Sequence, residues 1–521
     1  MEALINKIRN FINKEQIDCL LVNSTNELLV EYNSLAENSR YNLTHFTGST
    51  GDAVITKDSI YLFVDGRYHI QADLEVDHNF VTVVKLQSGE KMIDRMQALF
   101  PEGAVLGVVA KKNSQYRVEL FQKYFQVKLL NIDPAQAEFE LPADEIVDID
   151  EKYTGLSFNE KLDKITSNLA IDDAIILTNA EDVSYLFNKR DFSKPYASKI
   201  SAKAIVTKSN AEYFTRAENV DFETKLRSIQ GKIYVDKKSI NAYDYSLIKT
   251  QAVSLTENPV QNLRAIKTEN ELEHYKKAFE KTDLALSSVR NYIENTDNIS
   301  EFDIAQKLEE EFIRFGAIGL SFKSIVAKDK NSALAHYSKS SKDEIIRDGS
   351  LILIDCGAYY EGGLATDITR VFVKGEPFEL HRKVYTTVLK AFLNAFNYNV
   401  TPATSGFDID SLARKIFAEN EIDGFVFNHG LGHGIGISVH EYPPNLSNNE
   451  IAKVNLKENM CFTIEPGLYN QNYFGVRLEN SCYLKDGKIN SFVKMNYEKK
   501  LIDFDILSEQ EKAWLSNFEV L

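Results

Sequence analysis

Apolar residues recur along this chain with two periods, and the pattern occurs twice. Residues 5–16 (INKIRNFINKEQ) space isoleucine and phenylalanine three and four apart, the stripe of an amphipathic helix. The unbroken apolar run Cys19–Val22 follows as a buried strand, and NSTNELLVEYN (23–33) as a second helix. Residues 158–188 repeat the plan with FNEKLDKITSNL, the run Ala174–Leu177 and TNAEDVSYLFN. Each copy continues into another apolar strand, AVITK at 53–57 and AIVTK at 204–208. Helix, strand, helix, strand in both copies predicts two duplicated α/β domains, each able to bury a sheet face.

Breaks in the pattern set the boundaries. Residues 134–152 (PAQAEFELPADEIVDIDEK) are acidic and carry two prolines, as an exposed linker does. A second break falls at Asn258-Pro259, ahead of Thr268 and Glu271, whose capping-box spacing opens a helical pattern reaching about Asn295. The expected domains are residues 1–147, 148–263 and 264–521. The last is the largest and mixes helix with strand, so the chain as a whole is α/β (α+β).

Composition narrows the function classes. With 60 basic and 76 acidic side chains the formal charge is −16, which disfavours a nucleic-acid backbone or an anionic membrane as partner. No stretch approaches the roughly 20 apolar residues that span a bilayer. The N-terminal segment lacks a signal-peptide pattern, and the four cysteines (Cys19, Cys356, Cys461, Cys482) have no framework spacing. A cytoplasmic protein with reduced thiols is expected. Among only nine histidines, His429, His433 and His440 fall within twelve residues.

The chemistry gathers in the last domain. SLILID is a buried-strand run ending in Asp355, followed by the Gly-rich turn CGAYYEGGLA and the strand TDITRVFV carrying Asp367. A hairpin of this kind sets the two aspartates side by side, where they repel unless a cation lies between them; taken singly, each reads as an ordinary turn aspartate. In FNHGLGHGIGISVHEYPP (427–444), His429 and His433 are four apart, but the glycines between them argue against a helix, and no glutamate follows His429, so the HExxH zinc-protease pattern fails. Glu465 ends the apolar strand MCFTIE, and Glu479 lies among apolar residues in GVRLENSCYL. Arg477, two residues before Glu479, shares its face on a strand and offers it a plain salt bridge. Asp355, Asp367, His433, Glu465 and Glu479 together are too oxygen-rich for a structural zinc and suit a pair of divalent ions such as Mn²⁺. Two such ions hold a shared hydroxide and polarise a carbonyl, the chemistry of metal-assisted hydrolysis.

The order LIDCGAYYEGGLATDITR, HGLGHGIGISVHE, FTIEPGLY and VRLEN resembles the "pita-bread" metallopeptidases, the methionine aminopeptidase, prolidase and aminopeptidase P group. VDGRYHIQA (64–72), LRAIKTENELEHYKKA (263–278), SIVAKDKNSALAHYS (324–338) and LIDFDILSEQEKAWL (501–515) narrow the likeness to three-domain, cytosolic-type Xaa-Pro aminopeptidases. The resemblance implies two creatinase-like N-terminal domains before a pita-bread catalytic domain, and a homodimer cutting peptides with a penultimate proline through a metal-bridging hydroxide. It places Asp355, Asp367, His433, Glu465 and Glu479 on the ligands of two metal ions, most readily Mn²⁺, with Co²⁺ or Zn²⁺ as alternatives. Asp367 and Glu479 would bridge, and Glu465 would also take the nucleophile's proton. His429, His336 and His440 fall on histidines that hold the substrate and shuttle protons; Arg477 and Arg67 fall on arginines beside the site and reaching toward the substrate.

Two departures stand out. Asp355 and Asp367 are twelve apart, one more than that family's spacing, which a β-bulge in the turn would absorb. Lys339 follows HYS where the family has proline. Prolidase, which takes Xaa-Pro dipeptides, and a non-catalytic peptide-binding relative are the competing readings; the complete ligand set argues against the second, and the three-domain length against the first and against methionine aminopeptidase.

Overall fold

A computed structural model describes residues 1–87, 89–140 and 143–518. It divides into two compact units, Met1–Ile146 with Ser157–Asp191 and Lys199–Val260, and Val147–Leu156 with Phe192–Ser198 and Gln261–Leu521. The acidic 134–152 segment runs through residues 141–142, which lie outside the described residues.

The first unit holds two sheets with the same plan. In the first, β1 (Cys19–Val22) lies antiparallel to β2 (Asp52–Thr56), which pairs with β3 (Ile60–Val64) and through it with the parallel β4 (Val81–Lys85). On its other edge β1 runs parallel to β5 (Val105–Val109) and then β6 (Gln126–Leu130). The second sheet repeats this with β7 (Ala174–Leu177) flanked by the antiparallel β8 (Ala202–Thr207) and β9 (Ala211–Thr215), and by the parallel β10 (Ile233–Val235) and β11 (Ala252–Ser254). Among the described residues the second sheet has no strand in the place of β4. Helices α1 (Glu2–Glu15) and α2 (Phe158–Thr166) precede the central strand of each sheet; α1 buries Ile5, Ile8 and Ile12 on one stripe.

One expected helix fails. In the second copy Asn179 caps Ala180–Leu186 by accepting from the Asp182 amide at 2.9 Å. In the first copy Asn26 accepts instead from Leu28, two residues on, and Leu29 takes φ +58°. The side chain closes a turn in place of a cap, so 26–33 is turns and the helix waits until Ser39–Thr44.

The second unit carries α3 (Glu269–Asn295), capped by Thr268 and Glu271 as the sequence predicts, and α4 (Glu301–Arg314). Its three-stranded sheet is β12 (Ile325–Lys328), β13 (Leu351–Cys356) and β14 (Ile368–Val373). Helices α5 (Glu379–Phe396) and α6 (Gly406–Glu419) follow. A five-stranded sheet then comprises β15 (Gly432–Gly434), β16 (Glu441–Leu446), β17 (Cys461–Ile464), β20 (Asn480–Lys485) and β21 (Lys488–Ser491), in the order β16-β15-β17-β20-β21. The ribbon β18 (Gly467–Tyr469) with β19 (Gly475–Arg477) lies between β17 and β20 in the chain. Val384, Val388 and Phe392, one stripe of α5, share a core with Leu353 and Val371 of one sheet and Phe462 and Ile464 of the other.

The hairpin needs no bulge. Its register runs without a shift from Leu351↔Val373 to Cys356↔Ile368 and continues to the Tyr359↔Ala365 bridge. Beyond that bridge the chain turns at Gly362 and Gly363, which take φ +92° and +68°. Asp355 faces Thr369, and Asp367 is two residues before Thr369, so both carboxylates stand on one face of the sheet.

Candidate metal centre

Four of the five candidate ligands lie at or beside a strand end, and His433 lies in the middle of a short strand. Asp355 is the penultimate residue of β13, and Asp367 precedes β14, its carbonyl taking a 2.8 Å bond from Ser481 Oγ. His433 is central in β15; a Cβ at the preceding Gly432 would lie 2.0 Å from the Thr463 carbonyl, so glycine lets β15 lie against β17 there. The flanking loop is pinned by α6, where Asp410 accepts from the Leu431 amide (3.1 Å) and Arg414 donates to the His429 carbonyl (2.7 Å). Glu465 follows β17, its amide bonded to Leu431 at 2.8 Å. Glu479 leads into β20, its amide on the Thr369 carbonyl at 3.1 Å.

The side chains converge. Asp367, His433 and Glu479 each offer one atom, all within 4.8 Å of one another. His433 Nε2 lies 3.5 Å from Asp367 Oδ2 and 3.4 Å from Glu465 Oε1. Its Nδ1 is 3.0 Å from the Gly434 carbonyl; a carbonyl only accepts, so Nδ1 carries the proton and Nε2 presents a lone pair. Nε2 and two carboxyl groups therefore face one another across the site. Asp355 Oδ1, Asp367 Oδ1 and Glu479 Oε1 are buried without a hydrogen-bond partner. Acceptors aimed at acceptors in a buried site is the arrangement a divalent cation resolves, and the donor set of carboxylates with one imidazole fits a hard ion.

Electrostatics agree. Burial, and then the neighbouring carboxylates Glu479, Asp355 and Glu465, hold the Asp367 carboxyl well above its ordinary range. Burial first and Glu465 next do the same to Glu479. Burial raises Glu465 to about 7, against the pull of Arg477.

Of the other predicted residues, Arg477 does not pair with Glu479: β19 ends at Arg477, and its Nη2 binds Asp355 Oδ2 at 2.5 Å. Its Nη1 donates to the Tyr469 hydroxyl at 2.8 Å, and that hydroxyl lies 2.8 Å from His429 Nε2. His429 Nδ1 is 2.7 Å from the Gly430 carbonyl. The tautomer follows: Nδ1 donates to Gly430, and Tyr469, accepting from Arg477, donates to Nε2. His440 packs edge-on to His433 with ring centroids 4.4 Å apart. Its loop is fixed by the buried Glu441, which holds Arg264 at 2.6 Å and the Ile437 amide at 2.5 Å. His336 sits half-buried in a turn of the 329–341 loop. Arg67 belongs to the first unit, where it clasps Asp65 through two bonds (2.9 and 2.8 Å) and Thr50 at 3.0 Å.

Tyr469 is the residue sequence reasoning passed over. It stands inside the FTIEPGLY motif, but a tyrosine among apolar residues reads as core. Its role is visible only when β18 and β19 pair. Tyr469→Phe is expected to lower kcat/KM by about 10- to 100-fold while leaving metal affinity nearly unchanged, because it frees His429 and Arg477 without touching a ligand. Steady-state kinetics beside a metal titration checks this, and unaltered kcat/KM would count against it.

Fold and site define a metal-dependent hydrolase. Residues 273–486 match the metallopeptidase family M24, and residues 5–140 and 138–230 each match the creatinase/prolidase N-terminal domain. The chain belongs to the M24 metallopeptidases, in the form that carries creatinase/prolidase N-terminal domains. It is 28% identical to a probable Xaa-Pro aminopeptidase P of Coprinopsis cinerea, over 98% of this chain and 93% of that one. It is 26% identical to Xaa-Pro aminopeptidase 1 of Dictyostelium discoideum, over 99% and 91%. In fold it matches an X-prolyl aminopeptidase from Caenorhabditis elegans, described as a cytosolic enzyme with a di-nuclear active site, with a TM-score of 0.88, 22% identity and coverage of 99% and 94%.

Proposed function

We propose that this protein is an Xaa-Pro aminopeptidase, releasing the first residue of peptides whose second residue is proline. The convergence of Asp367, His433 and Glu479, with Glu465 and Asp355 around them, carries the reading. Similarity to relatives bearing that name over nearly the whole chain supports it. Two divalent cations, most readily Mn²⁺, would be held by Asp355, Asp367, His433, Glu465 and Glu479, and would polarise the scissile carbonyl and acidify the attacking water. Glu465 would accept the water's proton and return it to the departing proline nitrogen. His429, His336 and His440 would orient the carbonyl and relay protons, and Arg477 and Arg67 would contribute to substrate binding. An Xaa-Pro bond has no N–H for an ordinary peptidase to grip, so recognition must come from the free amine and the proline ring. We place the enzyme in the cytoplasm as a homodimer, with domains at 1–147, 148–263 and 264–521.

The test is release of the first residue from Xaa-Pro-Yaa tripeptides with and without Mn²⁺, beside Xaa-Pro dipeptides. Metal-dependent cleavage of tripeptides is expected; cleavage of dipeptides alone would make it a prolidase, and no cleavage would leave a binding protein.

The raised carboxyls give a signed pH dependence. A carboxyl whose folded pKa is raised contributes stability below its unfolded pKa and loses it as pH climbs to the folded value. Metal-free protein is therefore expected to lose melting temperature between the ordinary glutamate range, about 4.3, and about 7, the value for Glu465. With Mn²⁺ the loss disappears, and metal binding releases protons. Melts across pH 4–8, with chelator or with Mn²⁺, measure both; a metal-free melting temperature that rises over that window contradicts the assignment.

A further inference from the structure

Glu301 is the first residue of α4 and is fully buried, 0% exposed. Its carboxylate is met by neutral donors that divide evenly between its oxygens. Oε1 accepts from the Lys328 amide (2.7 Å) and Asn331 Nδ2 (2.9 Å). Oε2 accepts from the Tyr337 hydroxyl (2.7 Å) and the Ser341 amide (2.9 Å). Both ends of one loop are thus fastened to a single group, and His336 lies between them.

The same loop is tied to the site's own strands. It leaves β12, in which Ile325 pairs with Asp355 of β13. Ser332 Oγ donates to the Gly475 carbonyl at 3.0 Å and accepts from the Gly475 amide at 2.8 Å, at the start of the strand that carries Arg477. Asn331 also reaches the Tyr337 hydroxyl at 3.2 Å, closing the turn that contains His336.

Burying a carboxylate is costly, and a loop that needed only to be covered could be closed by apolar packing. Four convergent donors call for an acceptor-only group with two lone pairs on each oxygen, which a carboxylate is and an amide is not. The opening turn of α4 adds the favourable end of the helix dipole. We propose that Glu301 is a positioning residue for His336, fixing the loop so that the imidazole is presented to the substrate at one height and angle. This rests on the reading of His336 as a substrate-contacting group.

The test is a double-mutant cycle in the Mn²⁺-loaded full-length protein, with Glu301→Gln, His336→Ala and their combination. The substrate is an Xaa-Pro-Yaa tripeptide, read as kcat and KM beside Mn²⁺ affinity and melting temperature. Glu301→Gln keeps the size of the side chain but turns an amide N–H₂ against two of the donors. Each single variant is expected to lower kcat by about tenfold or more, and the double variant to fall within about twofold of His336→Ala alone, with Mn²⁺ affinity unchanged. Tyr337→Phe, which removes one donor and leaves the fold its other bonds, is expected to lower kcat about threefold and to add nothing in the His336→Ala background. If His336→Ala lowers kcat but Glu301→Gln and Tyr337→Phe do not, the inference is overturned while the reading of His336 stands. Losses that multiply in the double variants overturn it too, since Glu301 would then act on the site through something other than His336. Full activity in His336→Ala removes His336 from the reaction and overturns the inference together with that reading.

Discussion

Asp367→Asn is expected to lower kcat/KM by at least about 10³-fold, roughly 4 kcal/mol of transition-state stabilisation. Asp367 faces His433 Nε2 at 3.5 Å and leaves its other oxygen without a partner, so both oxygens are available to a cation. An amide there loses the charge and aims an N–H₂ into a group of acceptors that has to close on metal. Mn²⁺ affinity should fall with activity, as titration calorimetry would show. The same substitution should raise the melting temperature of the metal-free protein, because it removes one of the mutually repelling buried carboxyls. A variant that loses activity yet binds Mn²⁺ like the parent would show that Asp367 acts on substrate alone. A metal-free variant less stable than its parent would show that the repulsion is already relieved some other way.

Arg370→Met is expected to be the most destabilising substitution near the site, at about 3–5 kcal/mol. Arg370 is fully buried and spends its guanidinium on backbone: the carbonyls of Thr369 (3.0 Å), Glu479 (2.7 Å) and Met495 (2.7 Å), with Asn480 Oδ1 at 2.9 Å. Its charged carbon lies 4.5 Å from the centre of the Tyr497 ring. Methionine follows only the stem and carries no donor, so these acceptors lose the guanidinium; the Thr369 carbonyl keeps the Glu479 amide, but the carbonyls of Met495 and of the candidate ligand Glu479 lose a short bond. Lysine cannot replace the planar fork, so Arg370→Lys should recover little of the loss. Denaturant melts of the three proteins decide it; an Arg370→Met variant within about 1 kcal/mol of the parent would mean that water enters and satisfies the freed carbonyls.

Much of this was legible in the residues, because the fold's main devices are local. The apolar runs of β1 and β7, the Thr268 cap of α3 and the buried strand that carries Asp355 each follow from a handful of neighbouring side chains. Where reading failed, the deciding contact was made by one side chain at close range or by strands distant in sequence. Asn26 closes a turn on Leu28 in place of capping a helix, which its neighbours gave no reason to expect. Arg477 stands two residues from Glu479 in sequence, yet it binds Asp355, 122 residues away. Glu301 is one glutamate at a helix start, unremarkable until a loop folds back onto it. Ligand types were visible; the hydrogen bonds that aim them were not.

The turn between Tyr359 and Ala365 separates how long the hairpin is from where its carboxylates point. Strand parity is fixed by the ladder below the bridge, so residues gained or lost at the Gly362-Gly363 tip change neither the face nor the spacing of Asp355 and Asp367. That tip is a stretch between the two carboxylates where insertion and deletion leave the ladder untouched. It can drift in length among descendants of this chain, or accept an engineered epitope, without disturbing the ladder that aims the two carboxylates.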